Sequence, residues 1–196
     1  MEYYLGLLTF TFATSITPGP NNLMLLASGL NHGVKRSLPH YFGISLGFML
    51  MVVLIGLGFG ALFVEFPEIF LTIKILGVSY LLFLAWKIAN AGRLSANSEL
   101  KKPLSFFQAA AFQWVNPKAW IMAIGAIAAF TAQERIVESV ATVSLVFLLA
   151  SISCLGVWLL AGRALQRFLD DDHRLRIFNV TTAILLVVSV VPMAFE

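Results

Sequence analysis

Charged residues are scarce in this chain of 196 residues. Lysine, arginine, aspartate and glutamate together make up 12% of it, whereas hydrophobic residues make up 59% and the mean hydropathy is +0.88. A soluble domain usually carries about 25% charged residues, so this chain has too little polar surface to cover a water-soluble globule. The composition predicts an all-α integral membrane protein.

Cysteine is nearly absent, since Cys154 is the only one. A single cysteine excludes an internal disulfide and the cysteine pair of a membrane redox carrier. Its apolar surroundings, SISCLGVW, predict simple burial. No stripe of basic residues with interleaved aromatics is present, so we expect no nucleic-acid partner. The stretch MEYYLGLL at the start lacks a basic region, so we expect no cleaved signal peptide.

Six apolar segments are long enough to cross a bilayer, which takes roughly 20 apolar residues per helix. They are predicted at about Tyr3–Leu30, Leu38–Val64, Ile69–Ala89, Leu104–Phe130, Val137–Ala161 and Ile177–Phe195. The connections are too short to form a separate soluble domain. We therefore predict one transmembrane domain over residues 1–196, with three segments in about 1–90, a cytoplasmic loop at about 91–103 and three segments in about 104–196.

Lysine and arginine are distributed unevenly among the connections. Eleven of the 13 lie in or beside the connections between segments one and two, three and four, and five and six. Basic residues favour the cytoplasmic side of a membrane. These three connections are therefore predicted to be cytoplasmic, and both termini are predicted to be extracytoplasmic.

Helix-breaking residues interrupt the first and the fourth segment. The first contains TPGPNN at Thr17–Asn22, and the fourth contains Asn116, Pro117 and Lys118. When Pro18 is placed over Pro117, each break falls in the first segment of a three-segment half. Because three is odd, the two halves enter the membrane in opposite orientations. This pattern predicts an inverted-topology repeat, which many secondary transporters share.

The two breaks predict a binding site. A broken helix in lipid leaves unpaired N–H and C=O groups at several kcal/mol each, so it persists only inside protein or beside a wet cavity. N–H groups at a half-helix start can bind a carboxylate, and carbonyls at a half-helix end can bind an ammonium. Two opposed breaks therefore suit an amino-acid zwitterion. The predicted substrate-binding residues are Thr17, Pro18, Gly19, Pro20, Asn21, Asn22, Asn116, Pro117 and Lys118.

Each candidate also has a structural interpretation that the sequence leaves open. Prolines kink membrane helices for packing alone. Asn21 and Asn22 either bind substrate or cap the second half-helix, and Gly19 supplies either a positive φ or room for a close approach. Lys118 either attracts a substrate carboxylate or extends to the cytoplasmic face.

The sequence offers no obvious buried proton carrier. None of the ten carboxylates lies in the interior of a segment; Glu65 and Glu68 come at outer ends. His32 and His40 titrate in a useful range, but we expect both to be solvated in the cytoplasmic turn. Neither a catalytic group of acids and histidine nor a metal site is expected, since the run Asp170–Asp172 is typical of a solvated loop.

Four stretches resemble the LysE/RhtB family of amino-acid exporters over essentially the whole chain. They are TPGPNN at 17–22, NHGVKRSLPHYFGISLGF at 31–48, GVSYLLFLAWK at 77–87 and FQWVNPKAW at 112–120. The resemblance implies a multi-pass secondary transporter in the bacterial cytoplasmic membrane, without a cofactor. It would export small amino acids by proton antiport, and the neutral branch (homoserine, threonine, cysteine or O-acetylserine) looks closer than the basic one.

Other readings of the same pattern stay open. A uniporter, an importer or a channel-like permease for other small zwitterions would show similar broken segments. Gly43 and Gly47, like Gly56 and Gly60, are spaced for close helix packing. The packing partner is either a helix of the same chain or a second copy, so a homodimer is one expectation.

Overall fold

The computed structural model describes residues 2–59, 67–90, 102–169 and 171–195. Within these ranges the chain is helical and contains no strand, which confirms the all-α prediction. The helices are α1 (Glu2–Ile16), α2 (Pro20–Leu54), α3 (Pro67–Ala89), α4 (Phe106–Phe112), α5 (Pro117–Phe130), α6 (Ile136–Leu165) and α7 (Asp172–Phe195). The side chain of Glu65 and most of the predicted loop at 91–103 lie outside the described residues.

The helix α2 bends back on itself at Gly33. This residue has φ 74° and ψ 171°, a conformation that favours glycine. The hydroxyl oxygens of Ser28 and Ser37 lie 2.7 Å apart across the bend, whereas nine residues of straight helix would span about 13.5 Å. One glycine therefore makes the turn expected between the first two segments, and the residues on both sides of it stay helical.

Apolar helices dominate the described structure. Pro20–Gly58 and Ile136–Phe168 are long and apolar enough to cross a membrane, and Ile75–Ala89 and Pro117–Phe130 are shorter apolar helices. The first of these stretches contains the bend at Gly33, so its length does not correspond to one straight span. The six spans and their inverted repeat stay predictions.

Large apolar side chains face outward along most helices. Leu5 of α1, Trp86 of α3, Val137 of α6 and Val188 of α7 all expose more than half of their surface. Soluble monomers rarely expose large apolar side chains along so many of their helices. A lipid environment is the one that this surface suits.

Glycines bring the first part of α2 against α6. A Cβ built at Gly29 would collide with the carbonyl oxygen of Leu159, and one built at Gly162 would collide with that of Leu26. Close backbone approach at small residues is typical of helix pairs in membranes. This packing fixes the position of the first part of α2, which begins at the first break.

The glycines of the second part of α2 pack within the chain. A Cβ at Gly43 would meet the carbonyl of Phe106, and one at Gly47 would meet Ala110, so both glycines lie against α4. Gly56 lies against Val140 and Ile127 in the same way. Gly60 lies outside the described residues. The described glycines thus need no second copy to explain them.

Local signals in the sequence account for the start of α4. The hydroxyl of Ser105 accepts from the backbone N–H of Gln108 at 3.3 Å, and the Gln108 amide oxygen accepts from the N–H of Ser105 at 3.0 Å. This reciprocal capping box satisfies two backbone donors that the first turn leaves free.

Cys154, on α6, forms no disulfide and is buried, as its apolar surroundings predict.

The close contact between α2 and α6 gives a first prediction. Gly162→Ala should lower the melting temperature of the detergent-purified protein by several degrees, because its methyl group would collide with backbone that cannot rotate away. Gly156→Ala is the matched control on the same helix, since a Cβ there meets the Tyr41 side chain at an ordinary 3.6 Å. Equal melting temperatures for the two variants would contradict the packing described here.

Candidate functional site

The first interruption covers Thr17 to Gly19. The helix α1 ends at Ile16, and α2 begins at Pro20 after Gly19, whose φ of −174° and ψ of 178° are extended. Proline suits the first position of a helix, because the N–H that it lacks would have no partner there. Gly19 does not need a positive φ, so of the two roles expected for it only close approach applies.

The second interruption has the same local design. The helix α4 ends at Phe112, a 3₁₀ turn follows at Gln113–Val115, and Asn116 (φ −93°, ψ 104°) precedes Pro117 at the start of α5. Pro20 and Pro117 therefore occupy equivalent positions. The alignment of Pro18 with Pro117 made from the sequence differs from this match by two residues. The residue that starts each helix, and not the first proline of each motif, defines the match.

Side chains from three other places cap the carbonyl end of α1. Asn22 donates through Nδ2 to the carbonyls of Ser15 (2.9 Å) and Thr17 (2.8 Å). The indole nitrogen of Trp158, on α6, donates to the carbonyl of Ile16 at 3.1 Å. The last carbonyls of a helix have no partner within it. Asn22 thus acts as a cap for the end of α1, which differs from the N-terminal cap that the sequence suggested.

Lys118 completes this cap from the second break. Its Nζ donates to the carbonyl of Thr17 at 2.8 Å, to the Thr17 hydroxyl at 3.1 Å and to the carbonyl of Pro18 at 3.4 Å. A cation is favoured at the negative end of a helix dipole and disfavoured at the positive end. Lys118 starts at the positive end of α5 and places its charge at the negative end of α1.

The side chain of Lys118 lies directly over Gly19. A Cβ at Gly19 would come within 2.8 Å of Cδ and 3.0 Å of Nζ of the lysine. Gly19 therefore provides the space through which Lys118 reaches α1. Lys118, which belongs to the second break, thus contacts the first break instead of extending away from both.

A second contact joins the two breaks. Asn21 donates through Nδ2 to Oε1 of Gln113 at 2.8 Å, and Nε2 of Gln113 donates back to Oδ1 of Asn21 at 3.2 Å. Gln113 is fully buried and also donates to the carbonyl of Ala109 at 2.9 Å. Gln113 was not among the predicted site residues; the signal for it was an amide in an apolar segment, three residues before Asn116 at the break.

A small cavity of about 40 Å³, lined by both polar and apolar side chains, lies between the breaks. Of the nine predicted site residues, five line it: Gly19, Asn21, Asn22, Asn116 and Lys118. The other four form its surroundings, with Pro20 and Pro117 at the helix starts and Thr17 and Pro18 beside Lys118. A space of this size holds a few water molecules, far less than the roughly 300–1,000 Å³ of ligand pockets.

Asn116 offers the cavity an unused acceptor. Its side chain is 1% exposed, and its Oδ1 has no hydrogen-bond partner among the described residues. A buried acceptor left unpaired costs about 1–3 kcal/mol. A ligand that donates hydrogen bonds, such as an ammonium group, would recover this cost.

The tryptophans beside the second break pack instead of lining the cavity. Trp114 and Trp120 are in edge-to-face contact with centroids 5.7 Å apart, and the indole N–H of Trp120 donates to the carbonyl of Trp114 at 2.9 Å. Trp120 is 2% exposed in a cluster with Phe48 and Phe147. These contacts pack the start of α5 against α2 and α6.

The expectation of a solvated His40 is wrong. His40 is 2% exposed, because Gly33 alone makes the turn and leaves His40 on a buried face of α2. Neither ring nitrogen has a hydrogen-bond partner among the described residues, and the same holds for Nδ1 of the half-buried His32.

The described residues contain no group of three potential metal ligands. Asp171 and Asp172 are exposed at the start of α7, and Asp170 lies outside the described residues.

Comparisons with known proteins point to one family. A family model described as LysE type translocator matches residues 12–194. Two proteins named cysteine/O-acetylserine efflux protein, from Salmonella typhimurium and Escherichia coli, are 36% and 34% identical over 183 residues, with 91% of each chain covered. No solved structure matches the chain significantly. The resemblance drawn from the sequence motifs is confirmed, and with it the expectation of a transporter instead of an enzyme.

The amide pair between the breaks gives a second prediction. Asn21→Leu and Gln113→Leu should each lower the melting temperature, because each leaves the other amide without its partner. The double variant should lose less than the sum of the two, with a coupling free energy of about 1 kcal/mol. Strictly additive losses would show that the two amides do not interact.

Proposed function

Because the chain belongs to the LysE type translocator family, we propose that it is a secondary transporter that exports small neutral amino acids from the cytoplasm. Cysteine and O-acetylserine are the first candidates, since they appear in the names of the matched relatives. The observation that carries the proposal is the meeting of the two helix breaks. They present a set of carbonyl oxygens, a lysine ammonium and an unpaired amide oxygen around one cavity.

These groups complement an amino-acid zwitterion. The substrate ammonium would bind the carbonyls of Thr17 and Pro18 together with Oδ1 of Asn116. The carboxylate would bind the ammonium of Lys118 and the N–H groups at the starts of α2 and α5, where helix dipoles favour anions. A short uncharged side chain would lie against the apolar wall of the cavity, which consists of Ile44, Phe48, Met122 and Leu155.

In this proposal, the ammonium of Lys118 occupies the position of the substrate ammonium when no substrate is bound. Without substrate its ammonium occupies the carbonyl end of α1. An arriving substrate ammonium takes over these carbonyls, and the released lysine pairs with the substrate carboxylate. The exchange keeps the helix end capped at every stage, so none of these carbonyls is left unpaired while substrate enters or leaves.

The small volume of the cavity in this conformation, called the closed state below, means that transport requires movement. About 40 Å³ does not admit an amino acid, so the contacts of Lys118 with Thr17 and of Asn21 with Gln113 must open. We propose that two three-span halves with opposite orientations rock about these contacts in proton antiport, in the cytoplasmic membrane with both termini outside. A homodimer remains an expectation.

Transport in liposomes tests the function directly. Purified protein would be reconstituted into liposomes preloaded with labelled cysteine, O-acetylserine, threonine, homoserine or leucine, and efflux followed with and without an imposed pH gradient. We expect efflux of one or two of these compounds, accelerated by the gradient. Efflux that ignores the gradient would reject antiport and favour a uniporter. No flux of any of them, or of lysine and arginine, would reject the transporter proposal.

Substitution of Lys118 tests this exchange between the lysine and the substrate ammonium. Lys118→Met keeps the stem and removes the charge that caps α1 and pairs with the carboxylate, so efflux should fall by about 10- to 100-fold, as expected for one charged hydrogen bond. Lys118→Arg should retain part of the activity. Lys102→Met, at an exposed position before α4, is the matched control and should keep full activity. Wild-type efflux by Lys118→Met would remove the lysine from the mechanism.

A further inference from the structure

Among the histidines, lysines, arginines and acidic residues whose side chains the structure describes, only His40 is buried, at 2% exposed. Both of its ring nitrogens lack a hydrogen-bond partner among these residues. A neutral imidazole has one donor and one acceptor, and leaving both unpaired in a buried position is unfavourable. Such a cost in the closed state calls for another state in which the imidazole is used.

The position of His40 links the cavity to the turn at Gly33. His40 precedes Ile44, which lines the cavity, by one helical turn, and follows Ser37 by three residues. These three residues share one face of α2. Ser37 in turn contacts Ser28 across the bend at 2.7 Å. Along α2, the imidazole therefore lies between the cavity and the basic residues Lys35 and Arg36 next to the bend.

The charged side chains on the elements around His40 lie at the surface. His32, beyond the bend, lies with Lys35 and Arg36 of α2 and Arg163 of α6 along one surface depression. The helix α4, against Gly43, carries no charged residue. The charged residues at the start of α7 and just before it are exposed: Asp171, Asp172, His173, Arg174 and Arg176. A charged group that is buried without a hydrogen-bond partner is costly, so the imidazole is neutral in this conformation.

We propose that His40 is the proton-binding group of coupled efflux. In the closed state the imidazole is neutral. When the halves separate toward the outside, water reaches the ring, and one nitrogen takes a proton from it. When they separate toward the cytoplasm, the same nitrogen returns the proton to water. One proton thus moves inward for each amino acid that leaves, and no other bond changes. This inference rests on the proposed antiport and names the residue that carries its proton.

His40→Gln separates coupling from transport, because glutamine fills similar space and cannot take up a proton. Two activities would be measured in the same liposomes: exchange of labelled for unlabelled substrate at equal pH, and net efflux driven by a proton gradient. We expect exchange to stay within about twofold of wild type and the acceleration by the gradient to fall at least tenfold. His173→Gln, at an exposed position, is the matched control and should retain both activities.

Proton binding can also be read directly. The variant with His32→Gln and His173→Gln keeps His40 as its only imidazole, since the chain has three histidines. With isotope-labelled histidine in nanodiscs, the imidazole NMR signal should change protonation state when substrate is added. This measurement also serves if His40→Gln does not yield folded protein.

The outcomes distinguish the two proposals. If wild-type protein moves none of the amino acids, the proposed function fails and His40 fails with it. If wild type responds to the gradient and His40→Gln responds equally, only the assignment of His40 is overturned. An imidazole signal that ignores substrate overturns it as well.

Discussion

The carbonyl end of α1 is the constraint on which the rest of the site depends. The last carbonyls of a helix have no partner within it, and the apolar segment predicted around this break offers them few others. In this chain four consecutive carbonyls, from Ser15 to Pro18, accept hydrogen bonds from side chains outside α1. Asn22, Trp158 and Lys118 supply these donors, so the end of α1 joins the start of α2, α6 and α5 at one point.

A site held together in this way is suited to exchange of partners. The cap of Lys118 on Thr17 and the amide pair of Asn21 with Gln113 connect residues about a hundred positions apart. Both contacts are polar, and each can be replaced by a ligand that carries the same groups. Apolar clusters and glycine contacts on either side hold the helices themselves in place. Packed helices therefore surround a small number of polar contacts that a ligand can replace.

Much of this arrangement can be read from the sequence, and the reasons for the rest are physical. Composition predicts the helical membrane class, and Pro20 and Pro117 mark the helix starts because proline suits a first turn. Propensity cannot reveal which distant oxygen a lysine will reach, so the contact between Lys118 and Thr17 had to come from the fold. The burial of His40 was missed because a loop was expected where a single positive φ at Gly33 makes the turn. The offset of two residues between the breaks arose from matching prolines instead of helix ends.

The central claim is that the breaks recognise both charges of an amino acid, and binding measurements on purified protein test it most directly. Affinity for O-acetylserine would be compared with that for its N-acetylated derivative, which lacks the ammonium, and its methyl ester, which lacks the carboxylate. The account predicts that each change weakens binding at least tenfold, because each leaves either the carbonyl end of α1 or Lys118 without a partner. Equal affinity for the N-acetylated compound would contradict it.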